Sequence, residues 1–466
     1  MKQVVGQAGA GAKPMTAPPV AKVPGPSPLG HLPYLPAMLG SPYNALLELQ
    51  RRYGPVCRFG YGKWQYTLMF GREANELLMS NSRNFLWRDV LSLLIPVVGN
   101  TAMVVSDGAD HRRRRRLVRP AFATKRIVSY VPIMVDEINA MIDAWQPGRR
   151  VDLFQQLRAC IRRIAVRCLF GEHLRREADE VGRELDSALR YVNRSPFIRF
   201  DHDLPGTAYR RAMASRRHVD EFVYAEIARR RASRGEDGGD VLAALLAAQD
   251  EEDGLTDEEV RDQVVSLTSS GYDSSSAAAS WAAHVLLTNP RVYERVRAEA
   301  KAVLGDDPLT ADHLAGLRYT ECMISEVLRL YTPGVLTGRK AVDTFDFAGC
   351  RIPGGSLLLY SQYVTHRLPQ LWPDPAEFKP ERWDTSLPGY REPEPFSYVP
   401  FGGAYRRCIG YAFALRELKV VIAELVRRAE LVPVRRHIEP LGVATMLPRG
   451  GVPATVVAVR PAAGQR

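Results

Sequence analysis

A long block of helical spacing constrains this fold more than any other feature of the chain. From residue 111 to residue 331 the apolar side chains recur mostly at helical intervals. Short β-like runs at residues 53–60 and 66–70 precede the block, and short strands with Pro-rich loops follow Pro333. The pattern predicts a mainly α fold with minor β structure, in which both chain ends contribute small sheets. We expect residues 1–22 to form a flexible tail and residues 23–466 to form a single domain.

Composition narrows the class of protein but does not identify a partner. The chain has 466 residues, of which 46% are hydrophobic and 25% charged, with Gly 36 and Pro 33, which excludes collagen-like and mostly disordered chains. The net charge of +11 arises from basic residues interleaved with acidic ones, so it does not by itself indicate nucleic acid, lipid or an acidic protein. We find no signal peptide, and no run of ~18 uncharged apolar residues that could span a membrane. The six cysteines form no CxxC pair and no zinc-type spacing, which favours a reducing cytoplasm. Because no such apolar run occurs, no membrane anchor is expected.

One predicted helix is long and has an unusual centre. Residues 256–259, Thr-Asp-Glu-Glu, form a capping box, and the helical pattern then continues to Leu287. Residues 269–276 are rich in Ser and include Gly271, and such a sequence is a poor helix former. Apolar neighbours on both sides favour a local distortion or a cavity there. The alternative is a polar stretch on a solvated face.

A Gly-rich loop at residues 401–410 delivers Cys408 to the start of an apolar helix at residues 411–426. The positive end of that helix, together with Arg406 and Arg407, would favour a thiolate. A thiolate at this place could ligate a metal or act as a nucleophile. For a cysteine without this setting, an inert buried thiol would be the better interpretation.

Five consecutive arginines occupy residues 112–116. On a helix they cannot all lie on one solvated face, and buried guanidinium groups need anionic partners. His111 and Arg115 are four residues apart, share a face and could hold a pair of carboxylates. The alternative, a basic patch that binds nucleic acid, lacks a recognisable reader motif and would leave the cysteine loop unexplained.

The cysteine loop resembles the haem-binding loop of the cytochrome P-450 family, whose pattern is Phe-x-x-Gly-x-Arg-x-Cys-x-Gly. The residues that match it are Phe401, Arg406, Cys408 and Gly410. Ala404 stands where the family usually has Gly, and its methyl should tighten the loop without preventing ligation. The resemblance runs from about residue 24 to residue 460.

Other family motifs follow in the right order. Glu326 and Arg329 match the family's Glu-x-x-Arg, which taken alone would be a common surface ion pair, and residues 380–383 resemble the segment whose Arg382 completes a Glu–Arg–Arg lock. The lock is therefore predicted to be structural.

The resemblance also assigns partners for the haem propionates. Residues 107–122 resemble the helix that contacts the propionates, which implies roles for His111 and Arg115. Arg339 and Arg406 match the family's other propionate partners.

In the long helix, Gly271 and Asp273 match the family's motif beside the oxygen site, whereas Ser270 replaces Ala or Gly and Ser274 replaces the usual Thr. An acid beside a hydroxyl suits proton delivery to dioxygen. Ser keeps the hydroxyl but lacks the methyl that restricts its rotamer. Asp273 and Ser274 are the predicted catalytic pair.

The resemblance implies a soluble, bacterial-type haem-thiolate monooxygenase: a helical domain that sandwiches haem b, with Cys408 as the axial iron ligand. It would insert one oxygen atom of dioxygen into a lipophilic small molecule, by hydroxylation or epoxidation in secondary metabolism. Two alternatives remain open: peroxide-driven or redox-neutral chemistry such as cyclisation or isomerisation, and a non-catalytic haem sensor or carrier.

The expected partners are dioxygen, a lipophilic substrate and a separate ferredoxin or flavodoxin, with no nucleic acid, and the protein is expected to be a monomer. An acidic electron carrier could bind basic residues on the face of the protein near the cysteine. The residues expected there are Arg112, Arg113, Arg116, Arg119, Lys125, Arg126 and Arg407. The substrate pocket is expected to draw on Val90, Leu94, Val97, Ser270, Val335, Leu336 and Met446.

Overall fold

The computed structural model describes residues 21–81, 83–171, 178–192, 202–232, 239–249 and 253–462. Helices dominate, as the spacing predicts. Their bounds are α1 (Leu35–Gly40), α2 (Tyr43–Tyr53), α3 (Arg72–Ser80), α4 (Arg88–Leu91), α5 (Ile95–Val98), α6 (Gly108–Val118), α7 (Thr124–Ser129), α8 (Val131–Asp143), α9 (Leu153–Phe170), α10 (Ala178–Val192), α11 (Ala208–Ala232), α12 (Val241–Ala247), α13 (Asp257–Thr288), α14 (Pro290–Leu304), α15 (Arg318–Leu330), α16 (Gln362–Thr365) and α17 (Tyr411–Arg428).

The strands are short and belong to small sheets. Their bounds are β1 (Val56–Phe59), β2 (Tyr66–Met69), β3 (Phe85–Leu86), β4 (Arg150–Asp152), β5 (Thr337–Ala341), β6 (Phe345–Phe347), β7 (Cys350–Ile352), β8 (Leu357–Tyr360), β9 (Ala429–Pro433), β10 (Pro440–Leu441), β11 (Leu447–Pro448) and β12 (Pro453–Val459). A five-stranded sheet has the order β1-β2-β8-β5-β3, and only β2 and β8 pair in parallel within it. A second sheet has the order β4-β12-β9, and β6-β7 and β10-β11 form hairpins.

This topology confirms the prediction of a mainly α fold with small sheets from both chain ends. The five-stranded sheet joins β1–β3, which precede the helical block, to β5 and β8, which follow it. One strand, β4, lies inside the helical block and pairs with β12 near the carboxyl end.

The predicted boundary between tail and domain, between residues 22 and 23, lies close to the first described residue. Residues 1–20 lie outside the described part of the chain. Ala21 already pairs with β7, since its N–H donates to Gly349 and its carbonyl accepts from the Arg351 N–H. These backbone bonds join residue 21 to β7, and the boundary between tail and domain stays a prediction.

The long helix α13 organises the core. The Thr256 hydroxyl accepts from the Glu259 N–H and the Glu259 carboxylate accepts from the Thr256 N–H, as the capping box predicts. The helix continues without interruption through residues 269–276, so the expected local distortion is absent there and the second expectation, a cavity, holds. It packs against α9, α11, α15 and α17.

One large hydrophobic cluster joins these helices. It includes Leu46 of α2, Ile164 of α9, Trp281 of α13 and Val421 of α17. Trp281 stacks on Tyr331 at 4.4 Å between ring centroids. No helix in the described ranges combines the length and apolarity needed to cross a membrane.

Candidate active site

A cavity of about 350 Å³ lies between the middle of α13 and the cysteine loop. The loop supplies Phe401, Cys408 and Gly410, and α13 supplies Ser270 and Ser274. The Ser-rich middle of α13 is therefore neither a distortion nor a solvated face. Its small side chains leave room beside the loop.

The cysteine loop is folded so that Cys408 faces this cavity. The Cys408 N–H donates to the Phe401 carbonyl at 2.8 Å, and the Arg407 N–H donates to the Ala404 carbonyl at 3.1 Å. A single 3-10 turn at Ala404–Arg406 lies between these bonds, and Gly410 precedes α17. Five of the six cysteines are buried, whereas Cys408 is exposed on the cavity side.

Ala404 has a φ of 49°, which explains why a glycine is usual at its position in the family pattern. A left-handed backbone costs a residue with a Cβ about 1–2 kcal/mol, and glycine avoids this cost. The rest of the loop retains its hydrogen bonds despite the methyl. Ala404 therefore introduces backbone strain without distorting the surroundings of Cys408.

The charge on Cys408 depends on opposing influences. Cys408 is open only to the cavity and lies deep within the protein, and this burial raises the pKa of its thiol, whereas the Gly410 N–H, Arg115 and Arg407 oppose the rise. The sequence assigned this role to Arg406 and Arg407. The structure instead brings in Arg115, whose Nη2 donates to the Arg407 carbonyl at 2.7 Å. Arg406 turns away to bind Asp107.

Two buried guanidinium groups form a cationic wall of the cavity. Arg406 Nη2 donates to the Ser106 carbonyl and to Asp107 Oδ1, both at 2.7 Å. Arg339 Nη2 donates to the Tyr360 hydroxyl at 2.9 Å, and its guanidinium lies 3.4 Å from the centre of the Trp87 ring.

Three donors of this wall have no acceptor among the described residues. They are Nε of Arg339, Nε of Arg406 and the indole Nε1 of Trp87. Buried donors of this kind need anionic or polar acceptors, and two adjacent cations favour carboxylates. This wall therefore fits the two propionates of a haem whose iron would be bound by Cys408.

Trp87 is a site residue that the sequence reasoning missed. It precedes α4, and the Asp107 carboxylate accepts from its backbone N–H at 3.0 Å. A tryptophan ahead of an apolar segment was the available signal. Its contact with Arg339, more than 200 residues away along the chain, becomes visible only in the tertiary structure.

His111 and Arg115 share one face of α6, as predicted, but their surroundings differ. His111 is 4% exposed, and burial reinforced by Arg406 and Arg115 lowers its pKa to about 3. It is therefore neutral near pH 7 and could donate one N–H. Arg115 holds the cysteine loop through the Arg407 carbonyl, so part of its donor set is already used.

The predicted catalytic pair lies on α13 with each member in other contacts. Arg158 of α9 donates from Nη2 to Asp273 Oδ1 at 3.1 Å and to Asp186 Oδ1 at 2.8 Å. The pKa of Asp273 is raised, because burial outweighs the opposing effect of Arg158. Ser274 lines the cavity, but its hydroxyl donates to the Ser270 carbonyl at 2.9 Å. Asp273 is not among the described residues that line the cavity.

The three residues predicted to form a lock are in contact. Arg329 donates from Nη2 to Glu326 Oε1 at 2.7 Å and from Nε to Oε2 at 2.8 Å, and both side chains are fully buried. Arg382 Nε lies 3.3 Å from Glu326 Oε1, and the Trp383 indole donates to Oε2 at 3.0 Å. The surface ion pair considered as the alternative is not what the structure contains.

The predicted substrate pocket overlaps this cavity at one residue. Ser270 lines the cavity, whereas the other six are not among the described lining residues: Val90, Leu94, Val97, Val335, Leu336 and Met446. Val97, Val335 and Met446 are almost fully buried in the core, and the Met446 carbonyl accepts from the Trp281 indole at 3.0 Å. These side chains are used in packing, which apolar sequence alone cannot distinguish from ligand contact.

The expected basic surface differs at two arginines. Arg126 is half-buried and donates to the Gly239 and Asp240 carbonyls at 3.2 and 3.3 Å. Arg113 donates to Glu259 at 2.7 Å and lies 2.9 Å from Asp253, so it is committed to the start of α13. Of the seven basic residues predicted for this surface, five are exposed and have no ion pair with a described acidic residue within 4.0 Å: Arg112, Arg116, Arg119, Lys125 and Arg407.

Comparisons with known proteins agree with a haem site at Cys408. Residues 23–447 match the family model described as Cytochrome P450. A Mycobacterium tuberculosis protein assigned to the family as cytochrome P450 139 is 41% identical over 84% of this chain and 92% of its own length. The cyclooctat-9-en-7-ol 5-monooxygenase of Streptomyces melanosporofaciens is 35% identical over 72% of this chain and 74% of its own.

Among solved structures, a retinoic acid-bound cyanobacterial CYP120A1 superposes with a TM-score of 0.81 at 25% identity, covering 95% of this chain and all of that one. The sequence match and the shared fold, together with a cavity that joins Cys408 to a wall of unpartnered cationic donors, show that the chain belongs to the cytochrome P450 family of haem-thiolate enzymes.

Proposed function

We propose that this enzyme inserts one oxygen atom of dioxygen into a lipophilic small molecule, by a hydroxylation or epoxidation that tailors a natural product. The observation that carries the proposal is Cys408, the one exposed cysteine among the described residues, facing a cavity beside the Arg339 and Arg406 wall. Haem, when bound, supplies the activation of dioxygen and the thiolate's electron donation. The chain's residues hold the haem, exclude water and move protons.

The cavity lining favours a mainly hydrocarbon substrate. Leu267, Ala278 and Leu328 supply apolar surface, while Ser270 and Thr337 supply hydroxyl groups. The Streptomyces relative acts, by its name, on an unsaturated cyclic alcohol. We therefore infer a cyclic, terpenoid-like substrate with few polar groups.

Proton delivery is assigned, by family pattern, to Asp273 and Ser274. For this role the Ser274 hydroxyl would leave the Ser270 carbonyl and turn into the cavity. Asp273 would take up a proton and weaken its contact with Arg158. Both changes involve side chains only and leave the backbone of α13 as it is.

Electrons would come from a separate acidic carrier, a ferredoxin or a flavodoxin, bound to a monomer. The exposed residues Arg112 and Arg116 of α6, and Arg407 beside Cys408, supply complementary charge. Such charge accelerates association more than it strengthens the complex.

A second candidate is peroxide-driven or redox-neutral chemistry at the same site. It is favoured by the engagement of Asp273 with Arg158 and of Ser274 with its own helix, because these contacts weaken the predicted proton relay.

One experiment separates the candidates. Cyclic terpenoid alcohols would be screened by the ferric spin-state change, and a ligand that binds would be incubated with reduced carrier plus dioxygen, with peroxide, or with neither. Product that requires carrier and dioxygen is expected. Product from peroxide alone, or without any oxidant, would replace the proposal by the second candidate.

A further inference from the structure

The carboxamide of Gln362 is a buried polar group that does not belong to the cationic wall. Gln362 begins α16, shortly after β8, and it is 5% exposed and lines the same cavity as Cys408. Its Nε2 donates to the Thr337 hydroxyl at 3.2 Å, whereas Oε1 has no hydrogen-bond partner among the described residues. A buried carbonyl oxygen without a donor is costly, which points to a donor group on a molecule bound in the cavity.

Gly334 leaves this amide open to the cavity. Gly334 also lines the cavity, and a Cβ placed on it would lie 3.7 Å from Gln362 Nε2 and 3.9 Å from Cδ. Apart from the chain neighbours of Gly334, no other heavy atom of the described residues lies within 4 Å of that point. The missing side chain therefore leaves a space against the amide that a small group of a ligand can occupy.

Thr337 is the second polar group of this space. Its hydroxyl oxygen accepts from Gln362 Nε2, which leaves the hydroxyl proton to be donated elsewhere. Thr337 is half-buried, lines the cavity and precedes Arg339 by two residues on β5. Side chains two residues apart on a strand share a face at a spacing of about 7 Å. The Gln362–Thr337 pair therefore lies next to the cationic wall.

The hydroxyl groups that α13 contributes to the cavity are bound differently. Thr268, Ser270 and Ser274 line the cavity, and each donates to a carbonyl of the preceding turn of its own helix. Such local bonds are common for serine and threonine within helices. These three hydroxyl groups therefore have no proton left for a ligand, whereas Thr337 has one.

We propose that Gln362 and Thr337 form a polar subsite that binds a hydroxyl group of the substrate, which reaches Gln362 through the space beside Gly334. The substrate O–H donates to Gln362 Oε1, and the Thr337 O–H donates to the substrate oxygen. A hydroxyl both donates and accepts through one oxygen, as this pair requires. The inference rests on the proposed function, because it takes the mainly hydrocarbon substrate inferred there and narrows it to a cyclic alcohol.

The first test fills the space beside Gly334. Cedrol and menthol, each paired with the hydrocarbon of the same skeleton, are titrated into the haem-loaded enzyme and followed by the ferric spin-state change. The alcohol preference is the Kd of the hydrocarbon divided by the Kd of the alcohol. Gly334→Ala should lower this preference about tenfold, which corresponds to ~1.4 kcal/mol, because its Cβ occupies the place of the substrate hydroxyl. The fold should tolerate this change, since a contact of 3.7 Å is an ordinary one and the backbone at Gly334 is not left-handed.

The second test removes the polar groups themselves. Gln362→Met keeps the length of the side chain, Thr337→Val keeps its shape, and each should also lower the alcohol preference about tenfold. Thr268→Val is the matched control, because it removes a cavity hydroxyl that is bonded to its own helix, and it should leave the preference unchanged. An unchanged preference in both Gly334→Ala and Gln362→Met, as expected if a bound water occupies the subsite, would overturn the proposal. An equal loss in Thr268→Val and Thr337→Val would also overturn it.

The subsite and the monooxygenase function can fail separately, because the binding tests need no turnover. Wild-type enzyme that shows the expected preferences but forms no product with carrier and dioxygen keeps the subsite and loses the monooxygenase function. Turnover of an alcohol with the same preference in every variant keeps the function and refutes the subsite. If neither alcohol shifts the spectrum of the wild type, the cyclic-alcohol class and the subsite are both refuted. The carbon monoxide spectrum of thiolate haem shows that each variant is folded, and Gly334→Ala, which removes no hydrogen-bonding side chain, carries the test if Gln362→Met loses haem.

Discussion

Replacing Glu417 by Gln should change how stability depends on pH. The side chain is fully buried on α17, and burial raises its pKa from an ordinary 4.5 to about 8. Gln has nearly the same shape and does not titrate in this range. The difference between wild type and Glu417→Gln therefore isolates one carboxyl group, because every other titrating residue is common to both proteins.

The sign follows from where the proton is bound. Between pH 4.5 and about 8 the native carboxyl keeps a proton that the unfolded chain releases. The contribution of protonated Glu417 to stability is thus complete below pH 4.5 and is lost as the pH rises through about 8. Each pH interval of one within this range changes the free energy of unfolding by about 1.4 kcal/mol.

Urea unfolding at pH 5.5, 6.5 and 7.5, followed by far-ultraviolet circular dichroism, measures this change. Relative to Glu417→Gln, the wild type should lose about 2–3 kcal/mol between the outer two values. Ser275→Ala removes a contact that lowers the pKa of Glu417, so it should extend the loss to higher pH. A difference between wild type and Glu417→Gln that is flat from pH 5.5 to 7.5 would refute a neutral buried Glu417.

Three further outcomes are expected. Cys408→Ala should abolish the long-wavelength Soret band of the reduced carbon monoxide complex, while Cys160→Ala keeps it; a thiolate spectrum in Cys408→Ala would exclude that ligand. Glu326→Gln should destabilise the fold by about 3–5 kcal/mol, because it leaves a buried guanidinium without its charge partner, and a change below about 1 kcal/mol in urea unfolding would contradict this. Arg116→Glu should slow reduction by an acidic carrier but spare peroxide-supported turnover, with less effect at 1 M salt, where the Debye length is ~3 Å instead of ~10 Å at 0.1 M. Arg52→Glu on α2 is the control, and equal slowing by both variants would refute a carrier site on α6.

Local sequence was sufficient wherever a side chain acts on neighbours a few residues away. The capping box at Thr256, the Glu326–Arg329 pair one helical turn apart, and the loop that presents Cys408 all depend on fixed backbone spacing. The mainly α architecture could also be predicted, because the helical periodicity over residues 111–331 can be seen in the sequence itself.

Sequence could not decide which way the side chains of long helices turn. Five consecutive arginines indicated that some must be buried, but only the tertiary structure brought Arg113 to Glu259 at the start of α13. The apolar residues Val97, Val335 and Met446 had the composition of a ligand pocket, but neighbouring elements enclose them in the core.

What the sequence by itself determined is the thiolate loop, the lock and the helical frame, since each depends on short-range spacing. Only the tertiary structure placed Trp87 over Arg339, Arg158 on Asp273, and Glu417 beside Ser275. These residues are far apart along the chain, so their contacts depend on how β5 packs against the segment before α4 and on how α9, α13 and α17 pack against one another. Burial at those contacts then determines which groups carry charge. A charged group loses its hydration only when the helices pack around it, so the free-energy cost of burying the charge cannot be predicted from sequence spacing.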